Sequence, residues 1–336
     1  MSEDSLNTVS DLVIHRLVRE AQGASRVVLR AGPNPLDEPA LRLMERLCQS
    51  YAARPGKGYG HFEQEGAGFP MPGLVRQLVV EQRIDFARFQ QEAMAVLQAR
   101  VEEDQIEDGG YLVVARVSMF GADCLWFALI QDVLGSAILE GGEIVDAPQL
   151  DIAGIQVAGR IDLTAWQAGA ERYISFLKGR GDVAGYFKRF LGCTDVVIAL
   201  KETRKLVETL EQFAEAQALP PPARDTLLER AHEVLEAMGE RSAPVSLETV
   251  AAEVWPEAPE KLVETLQEES RELATGFVPD KRALRPLVRF RAKAQGWRLE
   301  FDRAGLSAGT VQYDAGNNTL ILTNVPESLK RSLLDE

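Results

Sequence analysis

Three short patterns in this 336-residue chain combine residue types that can do chemistry. Gly305-Leu-Ser-Ala-Gly309 matches the G-x-S-x-G of a nucleophile elbow, where a serine attacks an acyl carbon. That chemistry needs a strand before the serine, a helix after it and a histidine later in the chain. Here His15, His61 and His232 all precede Ser307, and a strand is predicted to follow it, so acyl transfer is not expected. Gly56-Lys-Gly-Tyr-Gly60 is similar to a phosphate loop, yet the full G-x-x-x-x-G-K-[ST] pattern is absent. Its surroundings, rich in Gly and Pro from Gly56 to Gly73, predict a long exposed loop. The third pattern is Phe176-Leu-Lys178-Gly-Arg180. Its lysine and arginine can neutralise phosphate charge, and its glycine lets backbone N–H groups approach. Asp182 is suited to cap a helix starting just beyond, whose N-terminus would favour an anion.

Other chemistries find no support. The histidines lack metal-ligand spacing, and Asp151 and Asp162 do not form an acid/base pair by position. Cys48, Cys124 and Cys193 are odd in number and far apart, which predicts buried thiols in a reduced, cytoplasmic protein. No cofactor motif appears. No signal peptide is expected, and no apolar run is long enough to span a membrane.

Charge is distributed unevenly. The whole chain carries −14, but from Arg160 to Leu206 nine Lys and Arg face five Asp and Glu. Residues 207–280 hold five basic and seventeen acidic side chains, and residues 281–336 hold ten basic and six acidic. Two basic segments thus flank the most acidic one. Either they meet an anionic partner or their charges pair internally.

The elements that must position these residues read as an α+β fold. Strands are predicted over 9–18 and 26–30, a helix from about 36 to 51, and another from Phe86 to Glu102. A hairpin of Tyr111–Val117 and Cys124–Gln131 follows, then a strand near 149–161. These make an N-terminal mixed domain, residues 1–160, with an antiparallel sheet. The central segment 161–220 holds a short helix from Val183 to Leu191, with Val183, Phe187, Phe190 and Leu191 on one face. The aromatics of this segment fall at helical spacing and are expected in the core. A long helix from about 195 to 218 ends at Pro220-Pro-Pro222. Its apolar stripe, including Leu200, Val207, Leu210 and Ala214, could join two copies or pack internally. Segment 221–336 begins with acidic helices at 223–239, 246–254 and 258–274. The last two have a helix-turn-helix outline, but Glu260, Glu264, Glu268, Glu269 and Glu272 would repel DNA. A small basic helix and antiparallel strands end the chain. Arg282, Arg285, Arg289 and Lys293 fall on one helical stripe, with Pro286 as an alternative helix start.

The chain resembles the bacterial nucleoid-associated protein family known as the NdpA or YejK group. The resemblance rests on Leu150-Asp-Ile152, Gly159-Arg-Ile-Asp-Leu-Thr-Ala-Trp166, Arg172-Tyr-Ile-Ser-Phe-Leu-Lys-Gly-Arg180 and Phe187–Gly192. Lys57–Gly60, Phe62 and Asp108-Gly-Gly110 support it, and it runs along nearly the whole chain. It implies a cytoplasmic protein on the nucleoid that binds double-stranded DNA, with no assigned enzymatic activity and a suggested link to type II topoisomerase. Onto the matching segment it carries a DNA role for Lys178 and Arg180. Charge adds Arg172, Lys188, Arg189, Arg282, Arg285, Arg289 and Lys293. The expectation is a homodimer that contacts DNA phosphates with little regard to sequence, without cofactor, metal or membrane. The alternative is an acidic adaptor that docks a basic protein.

Overall fold

Residues 124–130, Cys-Leu-Trp-Phe-Ala-Leu-Ile, are apolar at every position, and the structure buries all seven with helices on both sides. The structure is a computed structural model that describes residues 8–334 except 22, 55, 67, 120, 156, 178–182 and 195. It divides into two compact units, Met1–Ala199 and Leu200–Glu336.

The first unit runs β1 (Thr8–Val18), β2 (Arg26–Val28), α1 (Glu38–Ala53), β3 (Lys57–Gly60), α2 (Met71–Val79), α3 (Phe86–Glu103), β4 (Gly110–Met119) and β5 (Ala122–Ile130). It continues through β6 (Asp132–Ile138), β7 (Ile144–Leu150), β8 (Val157–Asp162), α4 (Leu163–Gln167), β9 (Ile174–Leu177), α5 (Val183–Phe190) and β10 (Val196–Ile198). Eight strands form one antiparallel sheet in the order β10-β3-β9-β8-β5-β4-β1-β2. Period-two alternation sends Leu125, Phe127 and Leu129 to one face, against α2, α3 and α5. It sends Cys124, Trp126 and Ala128 to the other, where α1 packs through Met44, Leu47, Cys48 and Tyr51. β6 and β7 leave the sheet as a separate two-stranded arm.

The second unit contains α6 (Ala199–Ala216), entered directly from β10, then α7 (Pro221–Glu240), α8 (Leu247–Val254), α9 (Pro259–Leu266) and α10 (Lys281–Val288). After these come β11 (Arg289–Ala294), β12 (Trp297–Asp302), α11 (Ala304–Ser307), β13 (Val311–Asp314), β14 (Thr319–Leu322) and α12 (Glu327–Leu334). Pro221 and Pro222 open α7, where the missing N–H does no harm. Ser246 caps α8 as expected, accepting from the Thr249 N–H at 3.3 Å.

The fold is α+β, but several expected elements are corrected. Lys57–Gly60 is an inner strand of the sheet and not an exposed loop. Its glycine is there for packing: a Cβ on Gly58 would lie 2.7 Å from Phe176 Cζ and 2.9 Å from Val196 Cγ1. The predicted strand near 149–161 is two strands, β7 and β8, belonging to different sheets. The helix expected from 195 starts at Ala199, because β-branched Val196, Val197 and Ile198 pair with β3. The helix expected over 258–274 stops at Leu266, and a single 3₁₀ turn follows at Glu269–Arg271. Glu268, Glu269 and Glu272 are unfavourable at a helix C-terminus. β8, β9 and β10 are integral to the sheet of the first unit, which runs to Ala199. The apolar stripe of α6 packs internally: Leu206, Val207, Leu210, Phe213 and Ala214 are buried, and Phe213 meets the Trp255 ring edge-on at 5.7 Å.

Gly58→Ala is expected to destabilise the protein by about 1–3 kcal/mol through overpacking. Gly32→Ala, at a site with nothing within 4 Å, should stay within about 0.5 kcal/mol of wild type. Urea unfolding compares the two. A second expectation concerns His15, which is buried with Nδ1 accepting from the Arg30 N–H at 3.0 Å. Burial holds its pKa below the ordinary 6.5, with the nearby Gln90 side chain opposing the shift. The folded state therefore takes up this proton less readily than the unfolded chain. Stability should fall as pH drops below about 6.5, with a slope of at most about 1.4 kcal/mol per pH unit. In His15→Asn, which keeps an acceptor, urea midpoints measured between pH 7 and pH 5 should lose that component.

Candidate nucleic-acid interface

The segments Lys57–Gly60, Gly159–Asp162 and Ile174–Leu177, far apart in sequence, are neighbours in the sheet as β3, β8 and β9, with β9 in the middle. Gly58 and Gly159 both pair with Phe176, and Tyr59 and Arg160 both pair with Ser175. On the first face the Phe176 ring occupies space that a side chain at 58 would need, and a Cβ on Gly159 would lie 2.7 Å from Leu191 Cδ1 and 3.1 Å from Phe176 Cβ. On the opposite face sit Tyr59, Ser175 and Arg160, with Tyr51 of α1. The Tyr51 hydroxyl donates to Ser175 Oγ at 2.8 Å, and Arg160 Nε donates to the same oxygen at 3.3 Å. Lys57 Nζ donates to the carbonyls of Ala52 and Arg54 at 2.9 and 2.8 Å, and lies 5.3 Å from the Tyr51 ring centroid. It thereby serves the C-terminal end of α1, where a cation is favourable. Burial pushes Tyr51, Cys48 and Cys124 each up to about 12, so all three are neutral near pH 7.

Of the island's aromatics, Phe176, Tyr186, Phe187 and Phe190 are buried in the core, and Trp166 and Tyr173 pack against it partly buried. Phe62 meets Tyr173 and Trp166 edge-on at 5.3 and 5.9 Å, and Phe127 meets Phe190 at 5.1 Å. Asp162 Oδ1 accepts from the Ala165 N–H at 2.8 Å and caps α4. Asp151 Oδ1 accepts from the Gly154 N–H at 2.7 Å. Both carboxylates thus have local structural roles.

The expected basic residues separate into groups. Lys178, Arg180 and the expected cap Asp182 lie outside the described residues; their flanks are β9 and α5. Arg172 has a side chain only 8% exposed, 3.2 Å from Glu171. Arg189 pairs with Asp104 at 2.6 Å, tying α5 to the end of α3. Lys188 Nζ donates to the Thr194 carbonyl at 3.2 Å. Arg282 is held by Asp280 through Nε at 3.0 Å and Nη2 at 2.9 Å, while Asp280 also caps α10. Arg289 faces Asp302 at 2.8 Å and Glu300 at 3.5 Å. Arg285 and Lys293 are exposed and make no ion pair among the described residues.

The single helical stripe from 282 to 293 does not exist. α10 begins at Lys281, capped by Asp280, and ends at Val288 two residues after Pro286. Arg289 and Lys293 lie on β11. There Arg289, Arg291 and Lys293 share one face, opposite Asp302, Glu300 and Arg298. Asp302 sits opposite Arg289 at the base of this hairpin and Glu300 opposite Arg291 at its middle, while nearest the tip Lys293 pairs directly with Arg298. Arg291, Lys293 and Arg298 are exposed with no ion pair among the described residues. Arg303 anchors the base: it is buried, donates to Pro286 O at 3.1 Å, pairs with Glu211 at 2.9 Å and lies 4.2 Å over the Phe290 ring. Sequence reading missed Arg291 and Arg298; the alternation of Arg289, Arg291 and Lys293 before Gln295-Gly296 was the available signal.

A model of the family described as nucleoid-associated protein YejK matches residues 13–330. The chain belongs to that family. Among relatives named nucleoid-associated protein, one from Azotobacter vinelandii (strain DJ / ATCC BAA-1303) is 29% identical over 326 residues, covering 96% of each chain. One from Shewanella sp. (strain ANA-3) is 28% identical over 332 residues, covering 97% of each. Another, from Pseudomonas putida (strain W619), is 29% identical over 323 residues, 94% of this chain and 96% of its own. The nucleoid-associated family is described by association and not by a reaction. Among the described residues, no helix is long and apolar enough to cross a membrane, and no three His, Cys, Asp or Glu side chains cluster to hold a metal.

This sorting separates structural cations from available ones. Arg172→Ala is expected to lower stability by roughly 1–3 kcal/mol, and Arg189→Ala by up to about 1 kcal/mol. Arg291→Ala and Lys293→Ala should stay within about 0.5 kcal/mol of wild type. Urea unfolding of the four variants checks the division.

Proposed function

We propose that this nucleoid-associated protein binds double-stranded DNA at the bacterial nucleoid, largely without regard to sequence, through its phosphates. The observation that carries the reading is the β11–β12 hairpin, where Lys293 and Arg298 at the tip, and Arg291 on the rung of Glu300, make no ion pair among the described residues of a chain of net charge −14. Cations free of ion pairs can release DNA counterions; cations already paired must first give up a carboxylate. The proposed contacts are therefore Arg285, Arg291, Lys293 and Arg298, with Lys178 and Arg180 from the family resemblance and Lys188 beside them. Arg172, Arg189, Arg282 and Arg289 serve the fold in this reading. The protein acts in the cytoplasm, without catalysis or cofactor. Exposed Tyr313, Leu320, Ile321 and Leu322 on β13–β14, with Leu329, Leu333 and Leu334 on α12, support association into a homodimer.

One observation favours the second reading, an acidic adaptor for a basic protein such as a type II topoisomerase. The β6–β7 arm, including its turn, holds Asp132, Glu140, Glu143 and Asp146 and no basic residue. Its Leu134, Ile138 and Ile144 are 72%, 75% and 74% exposed.

Fluorescence anisotropy of a labelled duplex across a salt series tests the first reading. With roughly 4–8 phosphate contacts, the slope of log affinity against log salt should lie near about −4 to −7. Arg291→Ala/Lys293→Ala/Arg298→Ala should flatten it by about 2.7, and Lys178→Ala/Arg180→Ala by about 1.8, equally for unrelated sequences. Absence of salt-dependent binding to any duplex at low ionic strength would overturn the proposal.

A further inference from the structure

Arg160 sits near the middle of the sheet, between Ser175 of β9 and Trp126 of β5. Its guanidinium offers five N–H donors, yet its one hydrogen bond among the described residues is the Nε contact to Ser175 Oγ at 3.3 Å. It makes no ion pair there. Burial is the largest single influence on it and opposes its charge, yet its surroundings together raise its pKa above the ordinary value. The groups that favour the charge are Cys124, Tyr51, Tyr59 and Asp162, in that order. Of these, Cys124 and Tyr51 are neutral near pH 7, because burial has moved both to about 12. The Asp162 carboxylate is engaged in capping α4. A partly buried guanidinium without a matched carboxylate gains from an added anion. The neighbouring Ala158, two positions earlier on the same face, is apolar and fully buried.

A second observation comes from the hydroxyls. Tyr51 and Ser175 have two O–H protons between them, and the 2.8 Å bond joining them uses one. The other has no acceptor among the described residues, whichever hydroxyl donates. Arg160 cannot accept it. Unspent donors therefore converge here: the terminal guanidinium N–H groups and one hydroxyl. Arg160 is partly exposed, so an outside group can reach it. The sequence also continues from Leu177 of β9 directly into Lys178-Gly-Arg180.

We propose that Arg160, with the Tyr51–Ser175 hydroxyl pair, binds a phosphate group. A phosphate supplies the missing negative charge, accepts the guanidinium fork in bidentate fashion, and has oxygens left for the hydroxyl. The same chemistry is offered by a DNA backbone phosphate or by a free phosphate-bearing small molecule. The site thus adds a seat on the sheet face to the basic side chains proposed above, and it does not depend on them.

Thermal unfolding and calorimetry of the full chain, with inorganic phosphate against sodium chloride at equal ionic strength, test the site directly. The wild type should gain melting temperature in phosphate beyond the chloride control. Arg160→Gln should lose that gain and weaken phosphate binding about tenfold or more. Should Arg160→Gln fail to fold, Tyr51→Phe/Ser175→Ala decides, since it keeps the guanidinium and removes both hydroxyls; a several-fold weaker phosphate affinity supports the site. The duplex salt series then separates the sources. A slope flatter by about 0.9 in these variants assigns the site to a backbone phosphate, whereas an unchanged slope with lost phosphate binding assigns it to a small molecule. No phosphate-specific stabilisation of the wild type, together with an unchanged duplex slope in the variants, overturns the proposal. Phosphate binding in a protein that binds no duplex keeps this site and sinks only the DNA reading.

Discussion

Tight packing around Phe176, at two positions that lack a Cβ, fixes the geometry of β3, β9 and β8. Gly58 and Gly159 flank β9 on either side: a Cβ at 58 would collide with the Phe176 ring, and one at 159 with Leu191 Cδ1 and Phe176 Cβ. With the ring seated, β3, β9 and β8 keep their register, since a one-residue slip would reverse every side chain. That register sets Tyr59, Ser175 and Arg160 in one row beneath α1. An apolar contact on one face thus dictates the arrangement of polar groups on the other.

What was legible in the sequence follows from how local its causes are. The hairpin of β4 and β5 could be read because each strand carries its own apolar pattern. The island's aromatics could be assigned to the core because their spacing on α5 is a property of eight consecutive residues. β3 could not be read, because glycine suggests a loop unless the ring that fills its space is known, and Phe176 is far away in sequence. The residues 281–294 misled for a different reason. Their basic positions suit a helical stripe, and Arg289, Arg291 and Lys293 equally suit a strand; Pro286 decides only once α10 is known to start at Lys281. Charge roles were least legible. The partner of Arg189 is Asp104, 85 residues away, and no local pattern points to it. Asp280 stands two residues before Arg282, so that neutralisation was open to a closer reading.

The electrostatics of the chain are thereby sharper than its segment totals. A basic segment is not a basic surface. In residues 281–303, Asp302 and Glu300 of the β11–β12 hairpin hold Arg289, and buried contacts hold Arg303, while Arg291 at mid-ribbon and Lys293 and Arg298 at the tip make no ion pair among the described residues. Position along a ribbon, and not composition, determines which charges remain for a polyanion. The net negative charge elsewhere opposes tight, indiscriminate attachment and keeps any such contact sensitive to ionic strength.

The β6–β7 arm carries apolar side chains on both faces, and each of its strands has one edge unpaired within its two-stranded sheet. Such a ribbon is a template on which further strands can grow, copy upon copy, into an insoluble stack. Glu140 and Glu143 at its turn, with Asp132 and Asp146 along its strands, are gatekeepers against that outcome: two arms brought together carry like charge. The acidity of this protein is therefore more than a background against which its basic groups stand out. At this ribbon it sets like charges beside an exposed apolar surface.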